Sequence, residues 1–539
     1  MPRVGQQQQL LTYVGIGIVV GFGLIFVYLL FVRGQTSGIQ DVNAIECAAI
    51  ARDLARTGHF TTPLLKPLSL ARVPRPDSHP DLIYAPLHPL WESLWVRLLP
   101  YERAIPLACG AWLFLGGLLM LGLGWAWFSP RVGCLAAVLY VMNLNMLMNA
   151  AGGTEAPMLG FLLLALMGVV AAFAEAQRKS LLLALATGAL AGLLCLTKYV
   201  WGTAIIPAAL AVFLVTPRDQ RGRMLGACAG AFLVVLLPWM VRNTLVVGDP
   251  FFSFRWLESV MHSKTYPGNT LYRTFTTEYP SWLLFAVTSP REVLTKTLAG
   301  LDVVYAQPIS APGAYLGALF VAAIVVGLGR RSFEMARYVL YGSYVLAVAV
   351  MLMLLPAQRL TAPIAAPATL IAVAFLVTML ERATQSLPDK AKGRYMITGI
   401  LVLGLIHVFP TLSRLGSGRP DAAVRADTIR MQAQQAASLT DGLVATDVPW
   451  PLSWYGDCKT LWLPKSPAEL AKVEKEIGPV KWLLLTSFSR ATQQEEKTEA
   501  WASMWMRALQ EDVVVNGFRV YKRLPGNWVL FQRTTMPRG

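Results

Sequence analysis

Residues 156–216 read APMLGFLLLALMGVVAAFAEAQRKSLLLALATGALAGLLCLTKYVWGTAIIPAALAVFLVT, and this stretch decides the fold class. It holds three apolar runs, 156–175, 180–197 and 199–216, each long enough for a helix to cross a bilayer, which takes ~20 residues. Two cations separate the first two runs, and a single lysine, Lys198, separates the last two. The pattern predicts three consecutive membrane crossings joined by short turns.

The same pattern extends over most of the chain. The predicted spans number eleven, and they are 10–32, 104–127, 132–149, 156–175, 180–197, 199–216, 224–241, 313–329, 336–355, 360–380 and 395–412. With 55% hydrophobic and 14% charged residues, the composition is typical of a polytopic α-helical membrane protein and excludes a soluble enzyme. The first run has no small-residue cleavage site, so it is expected to be a retained span and not a signal peptide.

Positive charge is distributed unevenly between the two sets of turns. If the amino terminus is cytoplasmic, the short outer turns hold only Lys198 and Arg359, and the inner turns hold Arg131, Arg178, Lys179, Arg218, Arg221, Arg223, Arg330, Arg331, Arg337, Arg382, Lys390, Lys392 and Arg394. This asymmetry follows the positive-inside rule, so the loops 33–103 and 242–312 and the carboxyl-terminal tail are expected outside the cytoplasm. More than half of the net charge of +16 follows from this topology, which favours membrane lipids and argues against a nucleic-acid partner.

The tail has a different periodicity. Residues 1–412 are predicted to form the transmembrane part, and 413–539 a small extracytoplasmic α/β domain that begins at the linker RLGSGRP, 414–420. Strand-like runs are predicted at 443–446, 482–486, 513–515, 518–521 and 528–532, and helical patterns at 467–477 and 492–511.

The two outer loops are also patterned. Residues 43–56 predict an amphipathic helix suited to lying along the bilayer surface, and the loop 242–312 is rich in aromatic residues that suit the headgroup layer. A cavity between these loops, open to lipid, is therefore expected.

Two carboxylates are candidate catalytic groups. Asp41 follows the first span, and Glu46 comes little more than one helical turn later. A carboxylate at the lip of a membrane cavity can accept a proton from an incoming hydroxyl or amine as a general base. The alternative for Asp41 is structural, because aspartate is a favoured residue for capping the start of a helix.

Three cations are candidate phosphate-binding groups. Lys198, Arg242 and Arg359 are predicted at the outer ends of three spans, at the depth of a lipid phosphate. Fixed cations there could stabilise a phosphate as a leaving group, although lysine and arginine near span ends also reach headgroups for purely structural reasons.

Other polar residues give weaker signals. Glu155 could simply open the fourth span, since acidic groups favour helix amino termini. The outer histidines His59, His79, His88 and His262 include no pair at helical metal spacing, so no metal site is predicted. The sequence also contains no phosphate-binding glycine loop of the nucleotide type.

Several segments resemble motifs of the GT-C superfamily of membrane glycosyltransferases, in the bacterial branch of protein mannosyltransferases and aminoarabinose transferases. They are NAIECAAIARDL at 43–54, YAPLHPLW at 84–91, GGTE at 152–155, GLLCLTK at 192–198, PWMVRNTLVVGDPF at 238–251, RLTAP at 359–363, TDVPW at 446–450 and WYG at 454–456. By these motifs, Asn43, Tyr84, His88, Glu155 and Asn243 are expected to line the site. One departure is that the family's leading aspartate falls on Asn43, an amide that is not a useful base.

The resemblance implies an inverting glycosyltransferase in a bacterial inner membrane. Its donor would be a sugar linked to polyprenyl phosphate, and its acceptor a protein, lipid A or another glycan on the outer face. No nucleotide or redox cofactor is implied, and a divalent metal is left open. The alternatives are a lipid or solute transporter and an inactive scaffold of the same fold. Transporters usually carry ionisable groups near the bilayer midplane, which the predicted spans lack.

Overall fold

The computed structural model of the chain is mainly helical. It describes residues 4–35, 38–39, 41–326, 328, 331–354, 358–417, 420–491 and 500–534. The helices of the first half are α1 Val4–Gln35, α2 Val42–Thr57, α3 Pro67–Arg72, α4 Leu87–Leu98, α5 Tyr101–Trp127, α6 Pro130–Val141, α7 Leu144–Ala151, α8 Ala156–Glu175, α9 Leu181–Thr197, α10 Ile205–Val215 and α11 Arg221–Val247. Those of the second half are α12 Trp282–Thr288, α13 Pro290–Val304, α14 Gln307–Ser310, α15 Ala314–Val325, α16 Arg331–Met353, α17 Gln358–Thr361, α18 Ala365–Ala383, α19 Asp389–Gly416, α20 Asp421–Ala437, α21 Pro449–Tyr455, α22 Pro467–Ile477 and α23 Ala500–Gln510.

The membrane part is a bundle of long apolar helices. Among the described residues, seven helices are long and apolar enough to cross a membrane, or nine if each of two bent helix pairs counts as one span. Two shorter apolar segments, Leu181–Thr197 and Tyr199–Val215, lie where two more spans were predicted. A multi-pass helical membrane protein is therefore confirmed, whereas the count of eleven spans stays a prediction.

One predicted span is broken. Residues 132–149 were expected to be one helix, but α6 and α7 meet at a bend of 52°. Asn143 accounts for the break, because its side chain accepts a hydrogen bond from the Met146 amide (3.0 Å) and so starts a new helix.

Small residues set the close helix contacts. A Cβ added at Gly188 of α9 would lie 1.9 Å from the carbonyl oxygen of Cys228 in α11, so the two backbones touch there. Gly124 of α5 and Gly133 of α6 are in similar contact. In lipid, helices associate mainly through such close packing, because lipid tails are as apolar as the side chains. α18 is buried along most of its length and occupies the centre of the bundle.

A seven-stranded sheet forms the core of the carboxyl-terminal domain. Its strands are β1 Leu64–Leu65, β2 Val444–Thr446, β3 Thr460–Trp462, β4 Trp482–Leu485, β5 Val514–Val515, β6 Phe518–Leu524 and β7 Trp528–Arg533. Their order in the sheet is β1-β3-β2-β4-β7-β6-β5. Neighbours among β1, β3, β2 and β4 are parallel, and neighbours among β4, β7, β6 and β5 are antiparallel. The small α/β domain is confirmed, and all five predicted strands are present.

Two strands were not predicted. β3 has three residues and β1 has two, so each gives only a weak local signal. β1 comes from the first long loop and pairs with β3, with Leu64 opposite Thr460. The first loop and the tail therefore share one sheet. The predicted helix at 467–477 matches α22, whereas part of the one at 492–511 lies outside the described residues.

The first loop helix forms but does not lie on a surface. α2 extends the predicted helix by one residue at each end, and it is buried between α4 and α21. Arg52, 1% exposed, donates hydrogen bonds to the backbone carbonyls of Trp454 (2.8 Å) and Ser453 (2.7 Å). The charged side of the predicted amphipathic helix thus faces the sheet domain, where buried backbone carbonyls accept the hydrogen bonds of Arg52.

Candidate functional site

A cavity of about 330 Å³ opens at the end of the bundle that carries residues 41–100 and 248–289, here called the loop end. Its apolar wall is formed by Val350, Met351, Leu354 and Leu360 of the spans. Its polar wall is formed by Tyr84, Lys198, Arg255 and Glu258. A lining that combines apolar side chains with two cations suits a ligand that has a hydrocarbon tail and an anionic head.

Asn43 lies beside the polar wall. Its side-chain oxygen accepts a hydrogen bond from the Tyr84 hydroxyl (3.0 Å) and lies 3.4 Å from both terminal nitrogens of Arg255. Arg255 also pairs with Glu258 (3.1 Å). Burial opposes the charge of Arg255, but Glu258 and neighbouring acidic groups raise its pKa overall. Arg255 is therefore a fixed cation of the cavity.

Sequence analysis missed both Arg255 and Glu258. They lie in the aromatic loop, on a short 3₁₀ helix, Phe254–Ser259. The spacing of an arginine and a glutamate three residues apart was the available signal, because such residues meet on one helix face.

Lys198 and Glu155 form an ion pair at the edge of this cavity. Lys198 ends α9, Glu155 precedes α8, and their charged atoms are 2.7 Å apart. Glu155 does stand at the start of a helix, as the structural alternative held, but its side chain caps no backbone amide there. Its carboxylate instead holds the Lys198 ammonium at the carboxyl-terminal end of α9.

Arg242 lies elsewhere. It is not among the described residues that line this cavity, and its guanidinium donates to the carbonyl of Asp81 (2.7 Å) and to the side chain of Asn243 (3.0 Å). Asn243 in turn donates to the carbonyl of Phe252 (3.2 Å). Among the described residues, Arg242 and Asn243 are not part of the lining of this cavity, although Asn243 lines a smaller cavity that shares Tyr199 with it. The phosphate-binding role of Arg242 stays a prediction.

Arg242 instead supports a turn that positions Tyr84. The buried Asp81 carboxylate accepts hydrogen bonds from the amides of Ile83 (3.0 Å) and Tyr84 (2.7 Å). Burial raises the pKa of Asp81, although Lys66 and these hydrogen bonds oppose the shift. The turn directs the Tyr84 hydroxyl to Asn43. For the third predicted cation, Arg359, the side chain lies outside the described residues, and only its neighbour Leu360 lines the cavity.

The two candidate bases have different surroundings. Asp41 caps α2, with one carboxylate oxygen accepting from the amides of Asn43 and Ala44 (3.0 Å each), and it is half-buried. Glu46 is buried, pairs with Lys66 (2.5 Å) and accepts from the indole of Trp450 (2.8 Å). Neither is among the described lining residues. The capping alternative for Asp41 is thus realised, and its catalytic role stays a prediction.

His88 is not among the described residues that line the cavity. It is 2% exposed and contacts the Gly153 carbonyl (3.3 Å) and Glu92 (3.2 Å) instead of lining the cavity as expected.

Comparison with solved structures identifies the fold of the chain. ArnT from Cupriavidus metallidurans, crystallised with undecaprenyl phosphate, superposes over 98% of this chain and 99% of its own at a TM-score of 0.57 and 13% identity. Its apo structure gives the same TM-score at 15% identity, over 97% and 98% of the two chains. The chain has the GT-C fold.

A second protein with the GT-C fold supports this assignment. The Archaeoglobus fulgidus oligosaccharyltransferase, crystallised with zinc and sulfate, covers 89% of this chain with 70% of its own, at a TM-score of 0.51 and 11% identity. No family model matches the sequence, and no curated protein matches it. The GT-C likeness expected from the motifs is thus confirmed at the level of the fold.

Proposed function

We propose that this chain is a glycosyltransferase that takes its sugar from a polyprenyl-phosphate-linked donor and transfers it with inversion. The observation that carries the proposal is the composition of the cavity at the loop end. Lys198 and Arg255 line it together with the apolar side chains of Met351 and Leu354. This arrangement matches the two halves of a polyprenyl phosphate, and the likeness to ArnT, crystallised with undecaprenyl phosphate, supports the same carrier class.

The cations would act on the leaving group. In the proposed reaction an acceptor hydroxyl loses its proton to a carboxylate, and its oxygen attacks the anomeric carbon. The bond between that carbon and the phosphate oxygen breaks, and polyprenyl phosphate leaves with the electron pair. Lys198 and Arg255 would stabilise the growing phosphate charge in a site of low dielectric, where fixed cations act strongly.

Asp41 is the proposed base. It lies two residues before Asn43, which contacts the cavity residues Tyr84 and Arg255, and it is more exposed than Glu46. Glu46 is the alternative, but both of its oxygens already have strong partners, Lys66 and Trp450. Asn43 would orient Arg255 and Tyr84 instead of accepting a proton.

The proposed partners follow from this assignment. They are the lipid-linked donor, the surrounding membrane lipids and an acceptor that is a protein, lipid A or another glycan. The reaction as proposed uses no nucleotide or redox cofactor. We place the site at the outer face of a bacterial inner membrane, because the basic turns predict that the loop end is extracytoplasmic.

Lipid binding by purified protein tests the proposal. Undecaprenyl phosphate would be titrated into the protein in nanodiscs, with Arg255→Lys compared with Arg519→Lys, an exposed arginine of β6. Lysine keeps the charge but loses the two parallel hydrogen bonds of arginine, so we expect at least about tenfold weaker binding for Arg255→Lys alone. Equal affinity in folded samples of both variants would contradict the proposed phosphate site.

Turnover separates an enzyme from an inactive relative. Undecaprenyl-phosphate sugars would be supplied with a membrane lipid and protein extract, and release of undecaprenyl phosphate would be measured. Tight lipid binding without release from any donor would favour the scaffold alternative.

A further inference from the structure

Three buried side chains of types that can bind metals lie together where α4 packs against α5. His88 and Glu92 are one turn apart on α4, and Cys109 faces them from α5. One donor atom from each of the three lies within 4.8 Å of the other two. The side chains are 2%, 0% and 1% exposed, so the cluster is shielded from solvent.

The cluster leaves buried polar atoms without partners. Nδ1 of His88 and Oε2 of Glu92 make no hydrogen bond among the described residues. The other carboxylate oxygen of Glu92 lies 3.2 Å from His88 Nε2 and 4.0 Å from Cys109 Sγ. Buried polar groups in native proteins nearly always have a partner, and an exception calls for a missing water or ion. An ion held between His88 Nε2, Cys109 Sγ and the Glu92 carboxylate would also give Oε2 a partner, whereas Nδ1 faces away from this position and is not satisfied by it.

We propose that His88, Glu92 and Cys109 bind a divalent metal ion of the zinc class. A tetrahedral zinc ion with ordinary bond lengths would separate its nitrogen and oxygen ligands by about 3.4 Å and its sulfur and oxygen ligands by about 3.6 Å. The observed separations of 3.2 and 4.0 Å need only small side-chain movements to reach these values.

The charges of the cluster also suit a dication. A carboxylate and a thiolate together balance two positive charges, and the neutral imidazole adds none. A neutral assembly is what a dry interior tolerates, whereas a lone buried carboxylate is costly there. The Gly153 carbonyl, 3.3 Å from His88 Nε2, lies where it can complete the coordination.

Such an ion would join α4, α5 and the turn before α8. That turn carries Glu155, which holds Lys198 at the cavity (2.7 Å). The metal is therefore assigned a structural role behind the site, and this assignment does not depend on the proposed transferase activity.

Cys109 distinguishes a metal site from a plain ion pair. Without a metal, His88 and Glu92 form a buried pair to which the thiol adds only a long hydrogen bond to Glu92 (4.0 Å). With a metal, the sulfur is a ligand, and its removal lowers affinity. Cys134 provides the matched control, because it is an exposed free cysteine of α6.

The test uses full-length protein purified in detergent without a histidine tag. After chelation, zinc would be added back and dialysed, and bound zinc measured by mass spectrometry. We expect about one zinc per chain in the wild type and in Cys134→Ser, and at least a tenfold loss of affinity in Cys109→Ser. Zinc binding well below one per chain in the wild type, or unchanged binding in Cys109→Ser, would overturn the proposal.

Cobalt substitution gives a first readout on the wild-type protein, which does not depend on whether the Cys109→Ser variant folds. Co²⁺ bound to a thiolate produces a charge-transfer absorption band in the near ultraviolet, which the wild type should show on titration. A wild-type cobalt complex without this band would exclude Cys109 as a ligand and overturn the site. A band that persists in folded Cys109→Ser would do the same, since another cysteine would then be responsible.

Discussion

At the scale of single residues, the contacts of Asn43 organise the polar wall of the cavity. Its amide oxygen is shared by Tyr84 and Arg255, so it positions a hydroxyl and a cation with one group. An aspartate at this position would add a charge that Arg255 could balance. The neutral amide does not compete with an anionic ligand for the charge of Arg255, which already pairs with Glu258, but it cannot serve as a base at this position.

Asp41→Asn tests the proposed base with little structural disturbance. Asparagine caps a helix about as well as aspartate, so α2 should remain intact. Turnover should fall by a factor on the order of 100 or more, because a general base is lost. The measurement is donor-dependent transfer per folded molecule. Wild-type turnover would move the assignment to Glu46, which Glu46→Gln would then test by the same assay.

Glu46→Gln should itself reduce stability. It leaves the buried Lys66 without its anionic partner, and breaking a buried ion pair typically costs ~3–5 kcal/mol. The double variant Glu46→Gln/Lys66→Met should recover part of the loss, because no uncompensated charge remains. Denaturant unfolding in detergent measures both. If Glu46→Gln were as stable as the wild type, the prediction would be wrong, because the Lys66 ammonium would then have to be hydrated in the variant.

At the scale of helices and strands, close backbone contacts decide how the bundle packs. α9 and α11 meet at Gly188, and the first loop enters the tail sheet through β1. α2 is held under α21 by Arg52, whose hydrogen bonds satisfy the carbonyls of that helix. The loops around the cavity are thus anchored from both the bundle and the sheet domain.

Gly188→Ala should destabilise the bundle. The new methyl group would lie 1.9 Å from the Cys228 carbonyl oxygen, so the helices must separate, at a cost of ~1–3 kcal/mol. Gly222→Ala in α11 is the control, because a Cβ there meets nothing within 4 Å. Thermal unfolding of the two purified variants gives the comparison. Equal midpoints would mean that the contact is looser than the structure shows.

At the scale of the whole molecule, the helices bring the loops and the sheet domain to one end and the basic turns to the other. The long helix α19 connects Arg394 near one end with Gly416 at the sheet domain. If the basic turns are cytoplasmic, the cavity is open to the outer side, where a flipped lipid-linked donor would be found.

Reporter fusions test this orientation. Fusions after Arg223 and Arg394 should report the cytoplasm, and a fusion after Gly416 should report the outside, because basic short loops are retained inside. A cytoplasmic reporter signal after Gly416 would contradict both the site location and the donor class.

The sequence alone determined the membrane class, the GT-C likeness and most elements of the tail. These features depend on local patterns: long apolar runs, the placement of Lys and Arg, and short apolar runs in strands such as β4 and β7. The bounds of helices with a clear helical pattern, such as α2 and α22, were also predicted to within one residue.

Only the tertiary structure decided which polar groups meet. Lys198 pairs with Glu155, which lies 43 positions earlier in the sequence. Arg255 contacts Asn43, which lies 212 positions earlier. Arg242 was predicted at the end of a span, as Lys198 was, yet its guanidinium contacts backbone carbonyls. β1 was not predicted, because its two residues lie in a long loop and its partner β3 is almost 400 residues away. Contacts of this kind depend on how the loops pack against the sheet, which no local pattern records.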